Sequence, residues 1–522
     1  MNAADGNAAD YFIERHLREG RGERLAFADP WHSLTYAGLA AASARFATAL
    51  RAAGIERERR IALLMLDTID FPVAFWGALR AGIVPVPINT LLPADITEYI
   101  LKDSRAAALV VSAPLLEPQR PMLDRLPDLR QIIVSQPNGE PVSHSSADPR
   151  VTDFEAFLEN AAPAAEIAEC SPDEVAFWLY SSGSTGAPKG ARHVHSNLRA
   201  TSDTYGLEAL QIEPDDLVFS VAKLFFAYGL GNSMTFPMAV GAASVLVPDR
   251  PTPDLVLATM RRFRPTMFAG VPTLYAALLA HPELGPGAGS DRLRRCISAG
   301  EPLPEHVGRR WHETVGVDIL DGIGSTEMLH IFLSNHPDDI RYGTTGKAVP
   351  GYELRIVTED GADAPDGETG ELIVKGPSAA EGYWNQRDKS RRTFRGEWTY
   401  TGDTYIRDAD GYYRYCGRSD DMLKVSGIWV SPFEVEEALI GHAAVLEAAV
   451  VGHPDPEGLI KPKAFVVLQQ SAQRDDDDAL CEALQNHVKE QIGVWKYPRW
   501  IEFCDSLPKT ATGKIQRYKL RQ

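Results

Sequence analysis

Near the start of the chain, segments with helical spacing alternate with short apolar runs, and this alternation restricts the fold more than any other feature. Leu39 to Ala53 has the spacing of an amphipathic helix, Arg60 to Leu66 reads as a strand, Phe71 to Ala81 as a second helix, and Ile83 to Ile88 as a strand bordered by prolines. Strands separated by helices build an α/β sheet, largely parallel. Glu159 to Ala168, rich in Ala, Pro and Glu, reads as a surface connector, and further α/β units run to about Glu327. From Gly351 to Val374 the pattern changes to short alternating runs broken by Asp-Gly turns, which predicts antiparallel strands.

A last segment, from Asp420, has its own elements: helix Pro432 to Ile440, strands Val445 to Val451 and Ala464 to Leu468, and helix Ala479 to Gln491. The acidic run before that helix, Asp475 to Asp478, reads as a solvated loop with a capping acid. The expected fold class is therefore α/β. A large N-terminal domain of α/β subdomains with a small β-rich subdomain, 1–419, is followed by a small α+β C-terminal domain, 420–522.

The 522 residues are 44% hydrophobic and 24% charged, which places the chain among folded globular proteins. A formal charge of -18 opposes binding to nucleic acid or to anionic membranes, so any polyanionic ligand must be held by a local site. Leu224 to Pro248 is uncharged and long enough to span a bilayer, but Asn232, Ser233, Thr235 and Pro237 make it a buried core crossing. Cys170, Cys296, Cys416, Cys481 and Cys504 show no CxxC pairing, and the first residues lack the basic and apolar regions of a signal peptide. The expected location is cytoplasmic.

The most informative segment follows the buried-strand run Val175 to Tyr180. Ser181, Ser182, Gly183, Ser184, Thr185, Gly186, Ala187, Pro188, Lys189 and Gly190 combine close backbone approach, hydroxyl donors and one mobile cation, the composition that grips phosphate. It is neither GxxxxGK[ST] nor GxGxxG. The segment resembles the signature of the acyl-adenylating superfamily of acyl-CoA synthetases, adenylation domains and luciferases. Four more motifs occur in that family's order: Gly324-Ser325-Thr326-Glu327, Tyr400-Thr401-Gly402-Asp403, Gly417 to Lys424, and Pro508 to Lys514.

The resemblance implies ATP, Mg²⁺ and coenzyme A, and it implies roles for residues. Lys189, Thr326 and Glu327 would serve the phosphates, with Glu327 and Thr185 at the metal. Asp403 would hold the ribose hydroxyls, helped by Arg418. Adenine would lie between Gly300-Glu301-Pro302 and Asp321-Gly322-Ile323, where Ile323 replaces the tyrosine of many relatives. Lys514 would be the catalytic lysine and Asp420 the hinge of a mobile C-terminal domain. That domain's loop, with Lys424, Ser426, Gly427 and Trp429, would reach the pantetheine channel.

Within the superfamily, Leu224 to Asn232 and Gly322 to Ile331 resemble benzoate-CoA ligases. The matching pocket residues are Ala227, Tyr228, Ala299, Gly300, Gly324, His330 and Ile331, a slot for a single ring with no acid to pair an α-ammonium group. Ala269 stands where benzoate ligases carry a tyrosine, which admits an ortho- or meta-substituted benzoate such as 2-aminobenzoate if that position borders the pocket. The expected activity is ATP-dependent joining of a small aromatic carboxylate to CoA. The alternative is a stand-alone adenylation enzyme that loads a separate carrier protein. Other partners within this reading are a lysine acetyltransferase acting on Lys514 and a second copy of the chain in a homodimer.

Overall fold

The computed structural model describes residues 6–138, 148–162, 166–183, 186–419, 421–425, 428–456, 459–469, 472, 476–494, 496–509 and 515–521. Contacts divide the chain into two units, Met1–Glu353 with Val374–Thr399, and Leu354–Ile373 with Tyr400–Gln522.

The first unit contains a parallel five-stranded sheet in the order Val84–Pro87, Arg60–Leu64, Ala108–Ser112, Gln131–Ser135, Val151–Asp153. Helices cover the central strands on both faces, which is why Ile61, Ala62, Leu63 and Leu64 form an unbroken apolar run. The helix Tyr36–Ala52 starts at Thr35, whose side chain accepts from Gly38 N (3.1 Å), and it buries Leu39, Phe46 and Leu50 against Trp76 and Phe75 of Asp70–Arg80.

A second sheet of nine strands is parallel from Ile319–Gly324 through Arg295–Ser298, Met267–Gly270, Leu217–Ser220 and Ala243–Val245 to Leu25–Ala28, with antiparallel strands at both edges. Ser298, at the carboxyl end of its strand, lies beside Asp321 of the neighbouring strand. Open α/β sheets present ligand-binding loops at that end. The uncharged stretch at 224–248 folds as short buried helical segments and the strand Ala243–Val245. Among the described residues no helix is long and apolar enough to cross a membrane.

The glycine- and serine-rich segment does not lead from a strand into a helix. Val175–Gly183 pairs antiparallel with Gly186–Val194, so Lys189 sits on the returning strand of a hairpin. Phe177 and Leu179 enter one hydrophobic core and Trp178 another, which anchors the hairpin on both faces.

In the second unit Asp403–Arg407 pairs antiparallel with Tyr413–Arg418. Further on, Val445–Pro454, Ile460–Leu468 and Trp500–Phe503 form a three-stranded sheet that packs on helices Pro432–Ile440 and Asp477–Ile492 through Val435, Leu439, Leu484 and Val488. Asp476 caps the second helix, accepting from Asp478 N and Ala479 N. Buried Glu436 accepts from Val450 N (2.6 Å) and from Arg517 Nη2 (2.7 Å), which fastens the final helical turn, Arg517–Leu520, to this core.

Candidate active site

Lys189 and Glu327 come from separate elements of the first unit, yet their charged atoms stand 3.2 Å apart, Nζ to Oε1. Tyr383 completes the group: its hydroxyl accepts from Lys189 Nζ (2.6 Å) and donates to Glu327 Oε1 (2.7 Å). The lysine and glutamate side chains are only 21% and 15% exposed, so the charges interact in a partly desolvated setting. Burial pushes the Glu327 carboxyl up, but Lys189 and the Tyr383 hydroxyl outweigh it and hold the group below its ordinary range. The side chain is thus kept as an anion. Ser181 Oγ, on the same hairpin, is buried with no hydrogen-bond partner among the described residues.

The turn that carries Thr326 and Glu327 is held from outside. His193 Nε2 donates to the Thr326 carbonyl (2.8 Å), and burial pushes this imidazole down to about 4, so it stays neutral at neutral pH. Ala380 N donates to the Glu327 carbonyl (2.8 Å), and Ser378 Oγ donates to the Met328 carbonyl (2.7 Å). Asn197 Nδ2 in turn binds the carbonyls of Ser378 (2.6 Å) and Ala379 (2.9 Å).

A second cluster surrounds His330. Its ring meets Phe236 edge-on at 4.5 Å, Tyr205 at 5.2 Å and Tyr228 at 5.7 Å, and Nε2 donates to the Tyr228 carbonyl (3.2 Å). Burial pushes this imidazole down to about 3, so it packs as a neutral aromatic ring. Two glycines make the arrangement possible. A Cβ on Gly231 would lie 2.4 Å from His330 Cδ2, and one on Gly324 would lie 2.4 Å from the His330 carbonyl oxygen. Tyr228 OH donates to the carbonyls of Gly270 (3.1 Å) and Ile297 (3.2 Å), which fixes its ring at the strand ends. Ile331 pairs with Gly324 and is buried, as is Ala299, whereas Ala227 is half-buried. Ala269 is fully buried in register with Ile297.

Gly300, with φ +94°, turns the chain into Glu301 and Pro302 beyond the strand Arg295–Ser298, and Gly322 and Ile323 continue from Asp321 on the neighbouring strand. Burial pushes the Asp321 carboxyl up to about 8, against the opposing pull of Ser298 and nearby backbone N–H groups. Asp321 therefore binds its proton more tightly folded than unfolded. The stability this provides is complete below about pH 4 and is lost as pH rises through 8, a loss of about 2 to 3 kcal/mol between pH 6 and 8. Asp321→Asn should flatten the fall of Tm between pH 6 and 9. A variant with the wild-type slope would place that titration elsewhere.

In the second unit, Arg418 Nη1 donates to Asp403 Oδ1 (3.1 Å) and to the Thr401 carbonyl (3.0 Å). Gly402 adopts φ +70°, a backbone conformation that favours glycine, and lies close under the Arg418 guanidinium. Lys424 and Trp429 pair across the ribbon Leu423–Val425 and Ile428–Val430. Ser184, Thr185, Asp420, Ser426, Gly427 and Lys514 lie outside the described residues, and of Ser182, Gly183 and Gly186 the structure gives the backbone course alone.

The sequence reading singled out Lys189, Thr326, Glu327 and the residues around His330, but not Tyr383, His193, Asn197 or Ser378. Tyr383 and Lys189 are 194 positions apart, and no local spacing links them. The one available signal was Gly382 directly before Tyr383, which adopts φ +125°. A half-buried ammonium beside a carboxylate held as an anion suits a phosphate with its counter-cation. The cluster around His330 presents neutral aromatic rings, surroundings that suit an uncharged ring.

Comparison with known proteins matches residues 13–384 to the AMP-binding enzyme family and residues 434–514 to the AMP-binding enzyme C-terminal domain. The 4-hydroxybenzoate–CoA/benzoate–CoA ligase of Rhodopseudomonas palustris is 53% identical over all of this chain and 95% of its own length. A solved benzoate CoA ligase from Burkholderia xenovorans LB400 is 50% identical with a TM-score of 0.89, covering 99% of this chain and 100% of that one. An anthranilate CoA ligase solved in complex with anthranoyl-AMP is 42% identical with a TM-score of 0.91, covering 100% of this chain and 98% of that one.

Proposed function

Because the chain belongs to the AMP-binding enzyme family, we infer that it is an ATP-dependent aryl-CoA ligase that activates benzoate or a small substituted benzoate such as 2-aminobenzoate. Its reaction has two halves. The aryl carboxylate attacks the α-phosphate of ATP and expels pyrophosphate; the thiol of CoA then attacks the acyl carbon of aryl-AMP and AMP leaves. The observation that carries the reading is the Lys189–Tyr383–Glu327 group, in a chain similar throughout to CoA ligases of aromatic acids.

Two anions must meet in the first half, and the residues are assigned accordingly. Lys189 and Thr326 hold the phosphates with the hydroxyls of the hairpin tip, and Glu327, already an anion, fits a Mg²⁺ ligand with Thr185. When bound, Mg²⁺ supplies charge neutralisation for the polyphosphate. Asp403 and Arg418 take the ribose, and Lys514 neutralises charge at the α-phosphate as the carboxylate attacks. Acetylation of Lys514 would cancel that charge. Asp420 is assigned as the pivot of the segment 420–522, which carries Lys514 in one half-reaction and the Lys424–Trp429 ribbon in the other. The five unpaired thiols support a reducing, cytoplasmic setting.

Ala227, Tyr228, His330 and Ile331 are assigned to the ring. Ile331→Ala should lower discrimination in favour of benzoate over bulkier rings by about 1 to 3 kcal/mol, read as relative kcat/KM across benzoate, 2-aminobenzoate and the hydroxybenzoates. Unchanged ratios would remove Ile331 from the pocket. The deciding experiment for the function is thioester formation from this panel and a medium-chain fatty acid, with free CoA measured against a phosphopantetheinyl carrier. Turnover of an aromatic acid with free CoA supports the reading, and transfer to the carrier alone overturns it.

A further inference from the structure

The segment Ala380 to Trp384 is tied at once to the strand that carries Lys189 and to the turn that carries Glu327. Arg192 N donates to the Gly382 carbonyl (3.0 Å), Glu381 N to the Arg192 carbonyl (2.9 Å), and Trp384 N to the Gly190 carbonyl (2.8 Å). On the other side, Ala380 N holds the Glu327 carbonyl (2.8 Å). Tyr383 N donates to Ser390 Oγ (2.9 Å), the tyrosine ring packs on Phe394 at 5.5 Å, and the residue is 4% exposed. Its hydroxyl is therefore delivered to one place by backbone on both sides.

A phenol has one proton to give and can accept in return. Here the proton goes to Glu327 Oε1, and the oxygen accepts from Lys189 Nζ, with Thr393 Oγ1 a more distant neighbour at 3.5 Å. Lys189 also meets Glu327 at Oε1, so both contacts fall on the same carboxylate oxygen. Without the hydroxyl, a lysine and a glutamate this close would turn fully onto each other in a partly desolvated site. Each would then use up the other's binding capacity.

We propose that Tyr383 is a positioning residue for the adenylation half-reaction: by occupying Glu327 Oε1 and taking one Lys189 hydrogen, it leaves Oε2 for a divalent cation and the third ammonium hydrogen for phosphate. This rests on the aryl-CoA ligase reading and deepens it, because it assigns MgATP recognition to a residue that never touches the reacting atoms. The hydroxyl acts before chemistry, by confining the ion pair to one carboxylate oxygen.

The test is Tyr383→Phe, with MgATP binding measured by titration calorimetry without aryl acid, so that no turnover contributes. Affinity should fall about tenfold, and the Mg²⁺ concentration that half-saturates adenylation should rise by a similar factor. Benzoate affinity and the conversion of supplied aryl-AMP with CoA should stay at wild-type values. Phe394→Leu, which loosens the ring contact but keeps the hydroxyl, should bind MgATP like wild type. Unchanged MgATP affinity in Tyr383→Phe, or an equal loss in Phe394→Leu, would overturn the proposal, as would an equal loss in both half-reactions with a lowered Tm. Wild-type protein that forms no aryl-AMP from any acid of the panel would instead remove the ligase reading.

Discussion

Lys514→Ala should lower aryl-AMP formation by at least the 10²- to 10³-fold typical of losing one preorganised electrostatic donor, while supplied aryl-AMP still reacts with CoA. The asymmetry follows from when the charge is needed. An ammonium helps most while the carboxylate closes on the α-phosphate, where negative charge accumulates. In the thioester step the leaving group is AMP and the nucleophile is a thiol, and under the proposed alternation the same segment would present other residues. Both rates measured in one preparation decide the matter. If thioester formation falls as far as adenylation, Lys514 is not specific to the first step and alternation about Asp420 is wrong.

Glu327→Gln should have an effect of the same order, about 10²- to 10³-fold on pyrophosphate exchange, because it removes the anion that both Lys189 and Tyr383 are arranged to meet. Lys189→Met should cost a comparable factor. The informative variant carries both changes. Groups that act as a unit lose most of their value when either is removed, so the double variant should be little worse than the single ones. Losses that multiply would show that the two residues serve the phosphates independently, despite standing 3.2 Å apart.

Much of the architecture could be read from periodicity because the elements concerned are long or strongly apolar. Helix Pro432–Ile440 has the expected bounds, and the strand expected over Arg60 to Leu66 runs from Arg60 to Leu64. Its ladder ends early because Leu66 N is taken by the side chain of Ser112 (3.0 Å) instead of by a backbone carbonyl of the neighbouring strand. The hairpin at Val175–Gly183 was legible only in its first half. Its returning strand begins in glycine, alanine and proline, which carry no alternation, so its pairing emerges only from tertiary contact. Lys189 and Glu327 could be found because each lies in a motif. Tyr383 and His193 act through neighbours that are remote in sequence, and each looks locally like an ordinary core residue.

The position of the first strand in the nine-stranded sheet bears on how the chain is made. Phe27 and Ala28 pair with Ser244 and Val245, and among the described residues the only other strand beside Leu25–Ala28 is the short antiparallel Ser33–Thr35. During synthesis, Leu25–Ala28 leaves the ribosome long before Ala243–Val245 exists, and it must wait with an open apolar edge. Contacts of such high sequence separation form slowly. The nascent chain should therefore require protection of its first strand until the middle of the sequence has emerged, and pulses of chaperone binding to stalled chains should end once residue 245 clears the exit tunnel.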